Sequence, residues 1–292
     1  MSPPSTPPPD QRRPAGPQHS VPQERAAGPE QATQFEVIPL RGIADEVIAQ
    51  LPRGARITVT ASPAQGLPAT IEVACTLAAQ GFHAIPHLAA RMLRGPGEVE
   101  ELLERLSAAG VREVFVIAGD APQPAGPYPG ALPLLETLTA AGSGVQIGIG
   151  AHPEGHPFLE TAEALQLLRR KAEHASSLVT QMCFEAPPLL EWVRSVREAG
   201  ISLPVRPGIA APVSTARLLR IGARIGVGRS LRLLTEGDSG VRHLLGRGTW
   251  DPAPLFSQLD AAAVAEPELA LAGPHVYTFN AVRAARECVA AR

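Results

Sequence analysis

Large aromatic side chains are scarce in this chain: two Trp, two Tyr and seven Phe make up 4% of 292 residues. The core must therefore be filled mainly by small and branched aliphatic residues, which suit closely packed helices and strands. Cysteine is rare too, with three residues. Cys75, Cys183 and Cys288 are far apart and odd in number, which excludes a disulfide framework and a CxxC metal motif. A reducing compartment, the cytoplasm, is the simplest expectation. No run of about 18 apolar residues occurs, so no membrane-spanning helix is expected. The net charge is −2 and the core carries no basic run, so nucleic acid is not an expected partner.

Proline is not scarce, at 31 residues, and it is unevenly placed. Met1 to Glu30 includes PPSTPPPDQRRP and almost no large apolar residue. Such a segment cannot bury enough apolar surface to offset the entropy of ordering it. Residues 1–32 are expected to form a disordered, partly polyproline-like tail. The tail lacks the apolar stretch of a signal peptide, and no apolar run follows the Arg12–Arg13 pair as it would in a twin-arginine signal. The remainder, 33–292, is 45% hydrophobic over the whole chain's count and has the length of an α/β barrel, about 250 residues.

A punctuation mark recurs along that remainder. A helix-like stretch ends in Ala and Gly, and a strand-like run follows, at Gly81, Gly110, Gly142 and Gly200. Glycine just past a helix end takes the left-handed conformation at little cost. Between these marks, Val99, Leu102, Leu103, Leu106 and Ala109 form one apolar stripe opposite Glu100, Glu101, Glu104 and Arg105, as on an outer barrel helix. The strand runs are almost wholly apolar, as in parallel sheets covered on both faces. Eight are recognisable: 34–38, 56–61, 83–87, 113–119, 145–150, 178–184, 203–208 and 275–279. Eightfold strand–helix alternation predicts an α/β fold of the (β/α)8 TIM-barrel type. A doubly wound sheet is the rival, but FEVIPLRG lacks the glycine-rich turn expected after its first strand. Residues 226–272 read as an elaborated crossover with helices near Ser239–Gly246 and Pro252–Ala262.

Barrel active sites lie at the C-terminal ends of the strands. The polar residues punctuating the strands are Glu36, Thr60, His87, Asp120, His152, Glu154, His156, Gln181, Arg206 and Asn280. Converging on an apolar sheet, they form the default site. Glu36 is either a paired structural carboxylate or a chemical group; strand-one chemistry and the cost of an unpaired buried charge favour the second. Asp120 could be a turn former before Pro122. His152 and His156 are separated by Pro and Gly in HPEGH, a loop and not a helical zinc motif, so no metal is expected. His83 reads as a core or helix-facing histidine, and Gln181 as a backbone cap or a ligand contact. Arg169, Arg170 and Lys171 are either a solvated helix end or a phosphate contact.

The series FEVIP, ITVT, PHL, GD-x-P, HPEGHP, LRRK, VTQMCF, PGI-x-x-PVS and YTFN, in this order and spacing across roughly 34–286, resembles the methylenetetrahydrofolate reductase family. The resemblance implies a flavin/folate-binding catalytic barrel with FAD at the strand C-termini. A reduced nicotinamide, NADH or NADPH, reduces the flavin and is replaced by 5,10-methylenetetrahydrofolate, which leaves as 5-methyltetrahydrofolate. Glu36 matches the family's acid, which helps open the imidazolidine ring and is expected to have a raised pKa. Asp120 matches the aspartate near flavin and pterin, where a carboxylate stabilises a cationic iminium. Gln181 and Asn280 match substrate contacts. Thr60, His87, Gly119, Asp120, Tyr128, His152, His156, Arg170 and Lys171 match flavin contacts, with Lys171 suited to the pyrophosphate.

The chain departs from the family at several of these places. Ala118 replaces the arginine of RGD, His152 the tyrosine of YPEGHP, and Ala281 a substrate arginine. Ala164 and Leu167 stand where polar flavin ligands are usual, and VTAS replaces VTYG. Two other readings therefore stay open: a folate-binding or regulatory subunit without flavin, and a reductase that needs a partner subunit or transfers hydride directly. Self-association is equally open.

Overall fold

The computed structural model describes residues 32–61, 64–155, 159–214 and 249–292. The Pro-rich tail up to residue 31, the segment holding the expected helix near Ser239–Gly246, and His156 lie outside the described residues. Apolar runs bounded by turns become strands β1 (Gln34–Val37), β2 (Arg56–Val59), β3 (His83–Ala89), β4 (Glu113–Ile117), β5 (Gln146–Ala151), β6 (Ser177–Cys183), β7 (Val205–Ala210), β8 (Val213–Ser214), β9 (Thr249–Trp250) and β10 (His275–Tyr277). Eight of them close into a barrel in the order β1-β10-β7-β6-β5-β4-β3-β2. Every neighbouring pair in it is parallel. This is the expected (β/α)8 TIM barrel, and closure leaves no room for the doubly wound rival.

Among the described residues the helices are α1 (Ile43–Gln50), α2 (Gly66–Ala79), α3 (Pro96–Ala108), α4 (Ala131–Ala140), α5 (Thr161–Ala172), α6 (Ala186–Glu198), α7 (Ala253–Ala265) and α8 (Val282–Ala290). Gly81, Gly110, Gly142 and Gly200 all have positive φ, between 62° and 84°, at the helix-to-strand turns the sequence marked. On α3, Val99, Leu102 and Leu106 are buried as the apolar stripe requires. The pairing of β8 with β9 was not expected; two residues a side are too few to leave a periodic signal.

Side chains alternate across each barrel strand. Phe35, Ile57, Leu88, Val114, Ile149, Leu178, Ile209 and Val276 point outward and join the large apolar core under the helices. Inside the barrel the apolar part is small: Ile85, Phe115 and Val179, with Ile117 against them. Gly148 makes room there, because a Cβ would stand 2.9 Å from Phe115 Cδ2.

The rest of the lumen is polar, and its floor is a charged plug. At the N-terminal end of the strands, buried Glu113 Oε2 accepts from Arg56 Nη2 at 2.6 Å and His83 Nε2 at 2.8 Å. His83 therefore faces the lumen, not a helix. Arg206, grouped with the mouth on sequence, also belongs to the floor: it is the second residue of β7, and its Nη1 donates to the carbonyls of Ala32 and Gly273.

Candidate functional site

Strand β1 carries Gln34 and Glu36 at lumen parity, and β10 carries His275 and Tyr277. Pairing of β1 with β10 sets these four side by side. Glu36 Oε2 lies 3.1 Å from His275 Nε2 and 3.6 Å from His87 Nε2. Gln34 Nε2 lies 3.2 Å from His275 Nδ1. His87, on β3, is buried with its ring 4.7 Å from that of Phe115. The Glu36 side chain keeps 16% of its surface accessible, against 6% for His87 and 1% for His275.

The protonation state of Glu36 differs from the expectation. Burial pushes its carboxyl up, but the His275 hydrogen bond and the charges of His275 and His87 outweigh burial, and the net shift is downward. Burial also brings His87 down to about 4, against a smaller upward pull from Glu36. His87 is then neutral near pH 7, and the hydrogen bond from His275 is the largest of the contacts that lower Glu36.

Asp120 lies exposed on the loop after β4, next to Gly119. Gly119 has φ +85°, and a Cβ on it would meet Ala89 Cβ at 2.9 Å, so the loop can cross the end of β3 only with glycine there. Arg91, in the short helical turn after β3, pins that loop. Its guanidinium donates to the carbonyls of Ala121 (2.6 Å), Pro122 (2.7 Å) and Pro129 (2.9 Å). Its own backbone bonds Ala118 O and Ala125 N. Ala118, where the family pattern has arginine, is exposed.

Lys171, near the end of α5, reaches over the barrel wall, and its Nζ donates to Gly150 O at 3.2 Å. Burial lowers its ammonium to about 8, so it stays mostly charged at neutrality with no carboxylate beside it. Neighbouring Arg170 points elsewhere and faces Glu136 on α4 at 3.8 Å, in solvent. The two basic residues that sequence grouped together are separated by helix geometry, since adjacent residues do not share a face. Gln181 sits where the register between β6 and β7 shifts, and its Oε1 accepts from Met182 N at 3.0 Å.

Thr60 follows β2 half-buried, its backbone tied to Val37 O and to the Thr70 hydroxyl. His152 and Glu154 lie half-buried just past β5. Of two other expected contacts, Asn280 is committed inside the protein, and Tyr128 is buried with its hydroxyl unpartnered among the described residues. Both arms of the Asn280 amide bond Ile38, with Oδ1 accepting from its N at 2.7 Å and Nδ2 donating to its O at 3.0 Å. Asn280 thus ties the end of β10 to the end of β1. Tyr128 is only 3% exposed and packs in the outer apolar core.

Anion-binding chemistry at the mouth is present but thin. Lys171 offers a desolvated cation, and the Gly119 backbone a close approach without a side chain. These suit a phosphate-bearing cofactor such as FAD. Position 118 is Ala and carries no charge, and Arg170 faces Glu136 instead. Among the described residues, no group of three His, Cys, Asp or Glu could hold a metal ion.

The chain matches the family model for methylenetetrahydrofolate reductase over residues 40–227. It belongs to that family. It is 27% identical over 134 residues to methylenetetrahydrofolate reductase 2 of Saccharomyces cerevisiae, covering 42% of this chain and 22% of that one. It is 31% identical over 132 residues to the probable methylenetetrahydrofolate reductase (NADPH) of Caenorhabditis elegans, covering 41% and 19%. With 5,10-methylenetetrahydrofolate reductase of Escherichia coli K12 it shares 30% identity over 136 residues, or 46% and 45% of the two chains. The matches thus span less than half the length of each of these relatives. No helix among the described residues is long and apolar enough to cross a membrane.

His275, Gln34 and Tyr277 escaped the sequence reading of the site. A signal was available: polar residues two apart on the first and last strands share the lumen face, and closure of a barrel makes those strands neighbours.

Proposed function

We propose that this protein reduces 5,10-methylenetetrahydrofolate to 5-methyltetrahydrofolate with a reduced nicotinamide, as a flavin-dependent member of its family. The observation that carries the reading is Glu36, a lumen carboxylate bonded by His275 whose side chain keeps 16% of its surface accessible. FAD, when bound, would carry hydride from the nicotinamide to the folate. Lys171 is suited to hold the pyrophosphate by charge, and the Gln181 amide to meet the folate or nicotinamide. Asp120, on the loop pinned by Arg91, adds a negative charge that favours a cationic iminium on the substrate. Glu36 in its ionised form does the same. In its protonated form it donates to the folate nitrogen whose bond to the bridging carbon breaks. Because the carboxyl is held low, that form is a minority at neutrality, and the folate step should quicken as pH falls.

Purified protein incubated with FAD and desalted should keep a flavin absorbance band. Glu36→Gln should then lose folate reduction while nicotinamide still bleaches the flavin; unchanged folate turnover would remove the acid assignment. One observation favours a second reading. Position 118 carries no charge and Arg170 is directed to Glu136, so neither of these two positions joins Lys171 in offering a cation to flavin phosphates. A protein that retains no flavin and binds folate without turnover would be a folate-binding subunit. One that turns over only with a partner or without flavin would be a partner-dependent or direct-transfer reductase.

A further inference from the structure

Glu36 is held asymmetrically. Its Oε2 receives His275 Nε2 at 3.1 Å and lies 3.6 Å from His87 Nε2. Its Oε1 accepts no hydrogen bond from any described residue. Gln34 Nε2 lies 3.2 Å from His275 Nδ1, and Gln34 Oε1 is buried without a hydrogen-bond partner among the described residues; with the amide nitrogen on the imidazole side, Nδ1 is the acceptor. A neutral imidazole with Nδ1 accepting carries its proton on Nε2, the nitrogen that faces Glu36. The other tautomer would set an Nε2 lone pair against a carboxylate oxygen 3.1 Å away, a repulsion in a buried place. Gln34 and His275 are each 1% exposed, so water does not relieve either contact.

The other groups facing Glu36 do not substitute for this hold. His87 Nε2 has no hydrogen-bond partner and lies beyond bonding distance of the carboxylate. The Tyr277 hydroxyl donates away from it, to Thr180 O at 2.9 Å, while the Tyr277 ring packs edge-on to His275 at 4.7 Å. The Thr278 hydroxyl bonds the Glu36 backbone carbonyl and not the carboxyl.

We propose that His275, steadied by Gln34 and with a proton on Nε2, is the positioning residue of Glu36: it occupies Oε2 and leaves Oε1 without a protein partner for the ligand. The ligand class this selects bears an N–H donor or a positive charge at the position over Oε1. The assignment of that ligand as the one-carbon folate rests on the function proposed above; the hold itself does not.

The test is a carbon-13 NMR titration of the Glu36 carboxyl in the ligand-free full-length protein. Wild type should titrate below the ordinary carboxylate range, in keeping with its downward shift. His275→Phe keeps a buried ring but no donor, and its Glu36 midpoint should rise by at least about one pH unit, a tenfold change in the acid constant. His275→Gln places an amide donor near the same point and should keep most of the depression. Gln34→Leu frees the imidazole to take either tautomer and should give an intermediate rise. An unmoved midpoint in His275→Phe overturns the proposal, and an unmoved midpoint in Gln34→Leu overturns the tautomer lock. If His275→Phe does not fold, His275→Gln and Gln34→Leu decide the matter together: a preserved midpoint in the first and a raised one in the second support it, and any other pair overturns it. Since neither flavin nor folate is needed, failure here is separable from failure of Glu36→Gln to stop folate reduction.

Discussion

Removing Glu113 should cost this barrel more than any surface change, and the floor geometry gives the size. Its carboxylate, 4% exposed, meets Arg56 at 2.6 Å and His83 at 2.8 Å; the Arg56 side chain is itself 13% exposed. Glu113→Leu strands that guanidinium in the lumen floor without a counter-charge. Breaking a buried pair from one side costs about 3–5 kcal/mol. In a domain of this size each kcal/mol moves the melting midpoint by about 2–4 °C, so the variant should melt roughly 6–20 °C lower. Arg56→Leu combined with Glu113→Leu removes both charges and should recover most of the loss, a coupling that a double-mutant cycle measures. The pH dependence follows from the same contacts. Burial raises the Glu113 carboxyl, but His83 and Arg56 together lower it further, so its folded value lies below its unfolded one. The contribution is complete above the ordinary carboxylate range and disappears as pH falls through the depressed value. Urea denaturation from pH 7 down to pH 3 should show a steeper acid loss in wild type than in Glu113→Gln. A Glu113→Leu loss under about 1 kcal/mol, with an unchanged acid limb in Glu113→Gln, would refute the claim that the plug carries the floor.

Three further outcomes follow from other contacts. Lys171→Met should move stability and cofactor retention in opposite directions. The lysine's lowered folded value means the folded state holds its proton less well, so the full cost is present below about 8 and stability rises from there up to the ordinary lysine value of 10.5, and removing the charge should stabilise ligand-free protein by about 1–3 kcal/mol at pH 7 while FAD retained after desalting falls at least about tenfold. A variant with both unchanged would show that the ammonium faces neither a desolvated wall nor a phosphate. Gly208→Ala places a Cβ 2.2 Å from Thr180 O and 2.9 Å from Tyr277 Cε2, so β6 and β7 must part; a loss of about 1–3 kcal/mol by guanidinium denaturation is expected. Arg194→Ala breaks a bidentate pair with Glu266, but that pair stands in solvent, and the melting midpoint should barely move.

Much of the barrel was legible along the chain, because its signals are local. Apolar runs of strand length, the glycines that end helices, and the stripe on α3 each depend on neighbours within a turn or two, and all of them stand where the periodicity put them. Glu36 was legible for a related reason: a carboxylate in an apolar strand is conspicuous wherever the strand goes. Loop chemistry was less so. Arg170 and Lys171 are adjacent in sequence, yet one reaches Gly150 and the other Glu136, because a helix turns about 100° per residue. Asn280 kept family spacing, but a short polar side chain at a strand end serves the backbone as readily as a ligand.

Composition and periodicity by themselves determined eight parallel strands, their helices, and a set of polar residues that had to face somewhere. Closure decided where. Glu36 and His275 are 239 positions apart, as distant as first and last strands can be, and they touch because the sheet rolls up until β10 lies against β1. The stagger of that closed sheet sends Arg206 to the floor and leaves Glu36 above it. Strand stagger is a property of all eight strands at once, set by how their side chains fill one lumen, and no local window of sequence contains it.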